Sequence, residues 1–215
     1  MLIEDHTLFA ESMELALSVE GYDVRRAEPE KADTPSTLTT SVTRLKPRIV
    51  LLDLDLGRFG DGGRLITSFA RRGINVVVVT GSVDRARWGE AIHAGARTVV
   101  SKSSPLSGIL ATVRRLSQGL PVMTHTEREE LVRTWIQARE HHEDVRSRLD
   151  SLTRRESQIL GHMLDGQSVS EIARADVVSE ATVRTQVKSI LAKLGVNSQI
   201  AAVGQVHQVG WRPPV

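Results

Sequence analysis

The chain has 215 residues, 40% hydrophobic and 25% charged, with a formal net charge of +2. That composition is globular and excludes wholesale disorder, and the length suits one or two domains. No cysteine is present, so disulfides, thiolate metal centres and a cysteine nucleophile are excluded, and the longest apolar run, Val76–Val79 beside Ile74, is too short to span a bilayer.

The start, Met1-Leu2-Ile3-Glu4-Asp5, carries acids where a signal peptide carries bases. A cytoplasmic protein without membrane contact is expected. Charge is unevenly spread: residues 1–120 hold 16 Lys/Arg and 14 Asp/Glu, residues 121–150 hold 5 and 7, and residues 151–215 hold 7 and 5. An acidic connector before a small basic unit predicts two domains of different character.

In chain order, Leu2-Ile3 reads as the stub of a strand and Tyr22-Asp23-Val24 as a second strand. Ile49–Leu52, Ile74–Val79 and Thr98–Val100 read as buried parallel strands, because they are β-branched and apolar on both faces. Helix-length segments lie between and after them, at about 7–19, 36–46, 62–72, 84–94 and 105–118. This alternation predicts a doubly wound α/β domain. The stretch Pro29–Ser41 is rich in Glu, Asp, Pro, Ser and Thr, so the second helix is expected to be short or shifted.

Residues 121–150 begin with Pro121 and then lack Pro and Gly from Thr126 to Leu149, which predicts a charged, mostly solvated helix with Leu131, Trp135 and Ala138 on one side. His141-His142-Glu143 on it is expected to be solvated, since adjacent positions point to different faces.

Residues 151–210 show no strand pattern. Thr153-Arg154-Arg155-Glu156 and Ser168-Val169-Ser170-Glu171 are capping boxes, and Ser179 precedes a third helix. In that helix Val183, Val187, Ile190, Leu191 and Leu194 share one face. A last helix is expected from Asn197 or Ser198 to about 209.

Ligand sites in open α/β sheets lie outside the carboxyl ends of the strands. The residues there are Glu4 and Asp5, Asp53 and Asp55, Thr80 and Lys102. Converging carboxylates suit a hard cation such as Mg2+. A carboxylate so placed can attack phosphorus, with Lys102 and the cation neutralising the phosphoryl oxygens and Thr80 donating a hydrogen bond.

The runs Leu2-Ile3-Glu4-Asp5-His6, Leu51-Leu52-Asp53-Leu54-Asp55-Leu56-Gly57, Val79-Thr80-Gly81 and Gly95-Ala96 to Lys102 resemble a two-component receiver domain. Leu152-Thr153-x-Arg155-Glu156, Glu171-Ile172-Ala173, Ser179-x-x-Thr182-Val183 and Lys193-Leu194 resemble a LuxR-type helix-turn-helix. Together they resemble a NarL/FixJ-type response regulator. The resemblance implies a receiver over 1–120 with a five-stranded parallel sheet in the order 2-1-3-4-5, a helical linker over 121–150, and a four-helix DNA-binding domain over 151–215. It implies that Asp53 is the phosphoacceptor, fed by a sensor histidine kinase. Mg2+ would lie near Asp5 and Asp53, with Glu4 completing the acidic pair and the backbone carbonyl of Asp55 completing the shell. Thr80 would be the switch hydroxyl and Lys102 the phosphate partner.

A helix-turn-helix sets its second helix in the major groove of duplex DNA. Here the scaffold helix spans about 169–175 and the recognition helix about 180–194. Arg184, Thr185 and Lys188 project away from the core face; Arg or Lys suits guanine and the Thr185 methyl suits thymine. Ser179, Thr182 and Gln186 are expected at phosphates. The helix over 198–209, with Ala201, Ala202, Val203 and Val206, resembles the family's dimerisation helix, so a homodimer is expected.

Three departures stand out. Val99 replaces the usual aromatic switch residue, which weakens the expected coupling through Thr80. Gly57 stands where proline is common. Asp176 replaces an apolar residue and is expected either to loosen the turn or to cap the recognition helix. Two rival readings share these residues. One is a transcription regulator whose receiver-like domain works without phosphate. The other is a haloacid-dehalogenase-type phosphatase using Asp53-Leu54-Asp55, but that fold needs acids after the lysine strand, and residues 103–126 contain none.

Overall fold

The computed structural model describes residues 1–29, 32 and 34–213. Part of the stretch 29–41, namely Glu30, Lys31 and Asp33, and the final two residues of the tail lie outside the described residues. Strands β1 (Leu2–Ile3), β2 (Arg26–Ala27), β3 (Ile49–Leu52), β4 (Asn75–Thr80) and β5 (Thr98–Ser101) pair in parallel in the order β2-β1-β3-β4-β5. Helices α1 (Thr7–Val19), α2 (Pro35–Arg44), α3 (Gly63–Ala70), α4 (Arg85–His93) and α5 (Leu106–Ser117) connect and flank them.

The period of two along each strand explains why both sheet faces are covered. Val50, Leu52, Val76 and Val78 join Leu38, Val42, Leu65, Ile66, Phe69 and Ile92 from α2, α3 and α4. Leu2, Leu51, Val77 and Val79 face the other way, against Ala10, Met13 and Leu17 of α1 and Ile109 and Val113 of α5. Burying a side chain such as Phe69 contributes about 1.5–3 kcal/mol relative to leaving it exposed.

The second strand differs from expectation. It is Arg26–Ala27, not Tyr22–Val24, because β1 aligns Leu2 with Arg26 and Ile3 with Ala27. Tyr22 and Val24 instead pack beside the α1/α5 core. Helix α2 starts at a capping box in which the Thr34 hydroxyl accepts from the Thr37 amide at 3.2 Å, and it runs for 10 residues.

Helices α6 (His125–Asp150), α7 (Arg154–Leu164), α8 (Val169–Ala175), α9 (Glu180–Leu194) and α10 (Gln199–Val209) follow. The chain divides into two compact units, residues 1–136 and 137–215. The division falls inside α6. Most of this helix is exposed, as expected, but Leu131 belongs to the α2–α4 core cluster of the first unit, whereas Val145 and Leu149 belong to the core of the second. That second core also takes Ile159, Leu160, Ile172, Val183, Val187, Ile190, Leu194, Ala202 and Val206. Among the described residues no helix is long and apolar enough to cross a membrane.

Candidate functional site

Strands β1 and β3 are neighbours, and the Asp53 amide donates to the Ile3 carbonyl at 3.0 Å, so the residues that follow both strands emerge side by side. Ligand atoms of Glu4, Asp5, His6 and Asp53 consequently lie within 4.8 Å of one another. Asp53 is 2% exposed and Glu4 6%. The Lys102 ammonium, arriving from the end of β5, donates to Asp53 Oδ2 at 2.6 Å and to Glu4 at 2.8 Å, and lies 5.0 Å from the centre of the Phe9 ring. The other Asp53 oxygen accepts from the Asp55 amide at 3.1 Å.

The electrostatics follow from burial. Desolvation pushes the Glu4 carboxyl above its ordinary value, against the pull of Lys102. Lys102 is itself desolvated, yet its bonds to Asp53 and Glu4 outweigh that and raise its pKa, keeping it charged.

Thr80 is fully buried at the end of β4, and its hydroxyl oxygen accepts from the Ser82 amide at 3.1 Å. Val99 pairs with Val78 and packs partly buried on the α2–α4 side. Gly57 has φ +52°, a value closed to proline, and a Cβ there would lie 2.7 Å from Asp5 Oδ2. Gly62 is similarly constrained, since a Cβ would collide with the Asp53 carbonyl.

The carboxylate of Asp55 does not join the cluster. It turns outward to Arg87, whose guanidinium donates to Asp55 Oδ1 at 2.8 Å, to the Leu54 carbonyl at 3.1 Å and to Asp61 Oδ1 at 3.3 Å. Nothing in the sequence marked Arg87, because one arginine in an Arg-rich helix start carries no spacing signal.

In the second unit α9 presents Arg184, Thr185 and Lys188 as exposed, with Gln186 half-buried. Arg184 pairs with Glu180 at 2.9 Å, and the Thr185 hydroxyl donates to the Ala181 carbonyl at 3.0 Å. Ser179 is the N-cap: its hydroxyl accepts from the Thr182 amide at 3.1 Å and meets the Thr182 hydroxyl at 2.9 Å. Asp176 therefore does not cap α9. It ends α8, 3.1 Å from Arg155 and 3.7 Å from His162. The next residue, Val177, is 91% exposed with φ +53°.

Glu156 serves twice. It closes the Thr153 capping box and, 4% exposed, accepts from Lys193 and Ser189 at 2.7 Å each. Burial pushes its carboxyl up, but the bonds from Lys193, Ser189 and Thr153 outweigh this and hold it at about 2. The capping box was legible in sequence; the link to α9 was not. In α10, Ala202 and Val206 face the unit's own core, whereas Ile200 is 86% exposed.

A parallel sheet in this order, with an acid pocket at its carboxyl edge and a separate helical unit bearing a capped, basic-faced helix, defines a receiver joined to a helix-turn-helix. Residues 1–114 match the response regulator receiver domain, and residues 150–205 match the luxR family of bacterial regulatory proteins. The chain belongs to the response regulator family and combines a receiver with a LuxR-type DNA-binding domain.

It is 27% identical to the transcriptional regulatory protein DegU of Brevibacillus brevis, over 98% of this chain and 93% of that one. It is 31% identical to the response regulator protein VraR of Staphylococcus epidermidis, over 76% of each. The fold is shared with the two-component response regulator RcsB in its DNA complex, at a TM-score of 0.50 and 21% identity, covering 97% of this chain and 96% of that one.

Proposed function

We propose that Asp53 accepts a phosphoryl group from a sensor histidine kinase, and that the protein then acts on duplex DNA through α9 as a homodimer. In this reading residues 1–120 receive the signal, 121–150 link, and 151–215 bind DNA. The observation that carries it is the Asp53 carboxylate, buried at the end of β3 with Lys102 at 2.6 Å and two further carboxylates in the same pocket.

The donor set fits Mg2+, since the clustered carboxylates offer hard oxygens whose mutual repulsion a divalent cation relieves. Asp5 and Asp53 would hold the cation directly, the backbone carbonyl of Asp55 would complete the protein ligands, and Glu4 would act beside them. When bound, Mg2+ supplies charge neutralisation at the phosphoryl oxygens. An Asp53 oxygen forms the new O–P bond while the P–N bond of a phosphohistidine breaks, the imidazole leaving with the electron pair. Lys102 exchanges its bond to Asp53 for one to a phosphoryl oxygen, and Thr80 turns its hydroxyl proton toward the same group. On DNA, Arg184, Thr185 and Lys188 would read base edges, with Ser179, Thr182 and Gln186 near phosphates.

The test is intact-mass analysis after incubation with acetyl phosphate and Mg2+. One added phosphate in the wild type, absent in Asp53→Asn, is the expected result; label retained in that variant overturns the assignment. Absence of labelling in both, with DNA binding unchanged by the phosphodonor, supports regulation without phosphate. Steady turnover of p-nitrophenyl phosphate supports the phosphatase reading.

A further inference from the structure

Helix α4 is held at both ends by groups that belong to different functions. At its start, the Asp84 carboxylate caps the helix by accepting from the Ala86 amide at 2.8 Å, and Trp88 Nε1 donates to the Ser82 carbonyl at 2.9 Å, just after Thr80. From its first turn Arg87 reaches back to the loop after Asp53, bonding Asp55, Asp61 and the Leu54 carbonyl. At its end, α4 meets the first half of α6. Arg128 donates to the carbonyls of Ala96 at 3.1 Å, Arg97 at 3.3 Å and Ile92 at 3.4 Å. His93 stacks on Trp135 with ring centres 4.3 Å apart.

Between these ends the helices touch backbone to backbone. A Cβ on Gly89 would collide with the Leu131 carbonyl and lie 2.8 Å from Trp135 Cβ. Leu131 is 5% exposed. At the Gly89–Leu131 approach the backbones leave no room for a side chain, so a small shift of α4 there is passed on or opens the contact.

We propose that Arg87 is the positioning residue by which the phosphoacceptor loop, with α4 as the lever, controls docking of residues 125–136. This rests on the reading of Asp53 as phosphoacceptor. Phosphorylation replaces the single carboxylate charge of Asp53 by the roughly two charges and three acceptor oxygens of a phosphoryl group, a net gain of about one negative charge beside the loop that Arg87 closes. The guanidinium, shared among two carboxylates and a carbonyl, is drawn toward the new charge and carries the start of α4 with it. The Gly89–Leu131 seam then opens, so phosphorylation and docking oppose each other. Arg87 thereby supplies a route to the linker that does not pass through Val99.

Hydrogen exchange of the full chain tests this, read on peptides covering 125–136 with and without acetyl phosphate and Mg2+. Exchange there is expected to accelerate about tenfold on phosphorylation, within the usual range for coupled sites. Arg87→Lys keeps the charge but cannot span three acceptors, so it should label at Asp53 without that acceleration. Coupling is reciprocal. Gly89→Ala, which cannot close the seam, should bind beryllofluoride about tenfold more tightly by 19F NMR, and Arg87→Lys should remove that gain. If Gly89→Ala fails to fold, Arg128→Ala loosens the same seam from the α6 side. Equal acceleration in labelled Arg87→Lys and wild type overturns the lever while leaving the Asp53 reading intact. A wild type that takes no label defeats the Asp53 reading and the lever together.

Discussion

The Lys102 ammonium bridges two buried carboxylates, 2.6 Å from Asp53 and 2.8 Å from Glu4. It is a counter-charge shared by both buried acids at the sheet edge. Removing it leaves uncompensated buried charge, which is strongly destabilising.

Lys102→Ala should therefore lower the stability of the receiver by about 1–3 kcal/mol, a figure reduced from that of a fully buried pair because the lysine is partly exposed. Millimolar Mg2+ should restore part of the loss, since a cation among the carboxylates takes over the neutralising role. Thermal melts with and without Mg2+ measure both effects, and a melting temperature insensitive to Mg2+ in this variant contradicts the cation's placement.

Val177 supplies a second expectation. A β-branched residue at φ +53° is strained, and at 91% exposure it buries little in return. Val177→Gly should raise stability by about 1 kcal/mol, the relief of strain exceeding the added freedom of the unfolded glycine. A lower urea midpoint for the helix-turn-helix transition would contradict it.

The Glu156 carboxyl is depressed on folding from 4.5 to about 2, so its stabilisation is complete above about pH 4.5 and is lost as pH falls toward 2. The bonds involved contribute about 1–3 kcal/mol over that window, allowing for solvent screening. Glu156→Gln should flatten the acid limb of stability measured by urea unfolding between about pH 5 and 2. An unchanged acid limb would show that Lys193 and Ser189 do not hold the ionised form.

Arg184 is exposed on α9 and paired with Glu180, an i,i+4 surface pair of the kind worth about 0.3–0.5 kcal/mol. It is therefore free to exchange that partner for a base edge. Arg184→Ala should weaken specific DNA binding by about 1–3 kcal/mol and relax one base position. A uniform loss across sequences in a random-site selection would instead assign Arg184 to phosphate.

Much of this protein was legible in the chain itself. Strand runs such as Val76–Val79 are apolar on both faces, and only a sheet covered on both sides buries them. The capping boxes at Thr153 and Ser168, and the period of Val183, Val187, Ile190 and Leu194, are local signals written within a few residues. The acids and the lysine at strand ends were legible because parallel strands deliver their carboxyl ends to one edge.

The tertiary structure decided what depends on partners distant in sequence. Register with Leu2 and Ile3 placed β2 at Arg26–Ala27, a choice that local composition does not make. The Asp55 carboxylate left the acid cluster because Arg87, 32 residues away, lies within hydrogen-bond reach of it. Leu131 looked like one apolar residue on a charged helix, yet Gly89 opens a gap that lets its backbone press against α4. Hydrophobic period and capping are properties of neighbouring residues, whereas pairing register, charge partners and close backbone approach arise only once the chain has folded on itself.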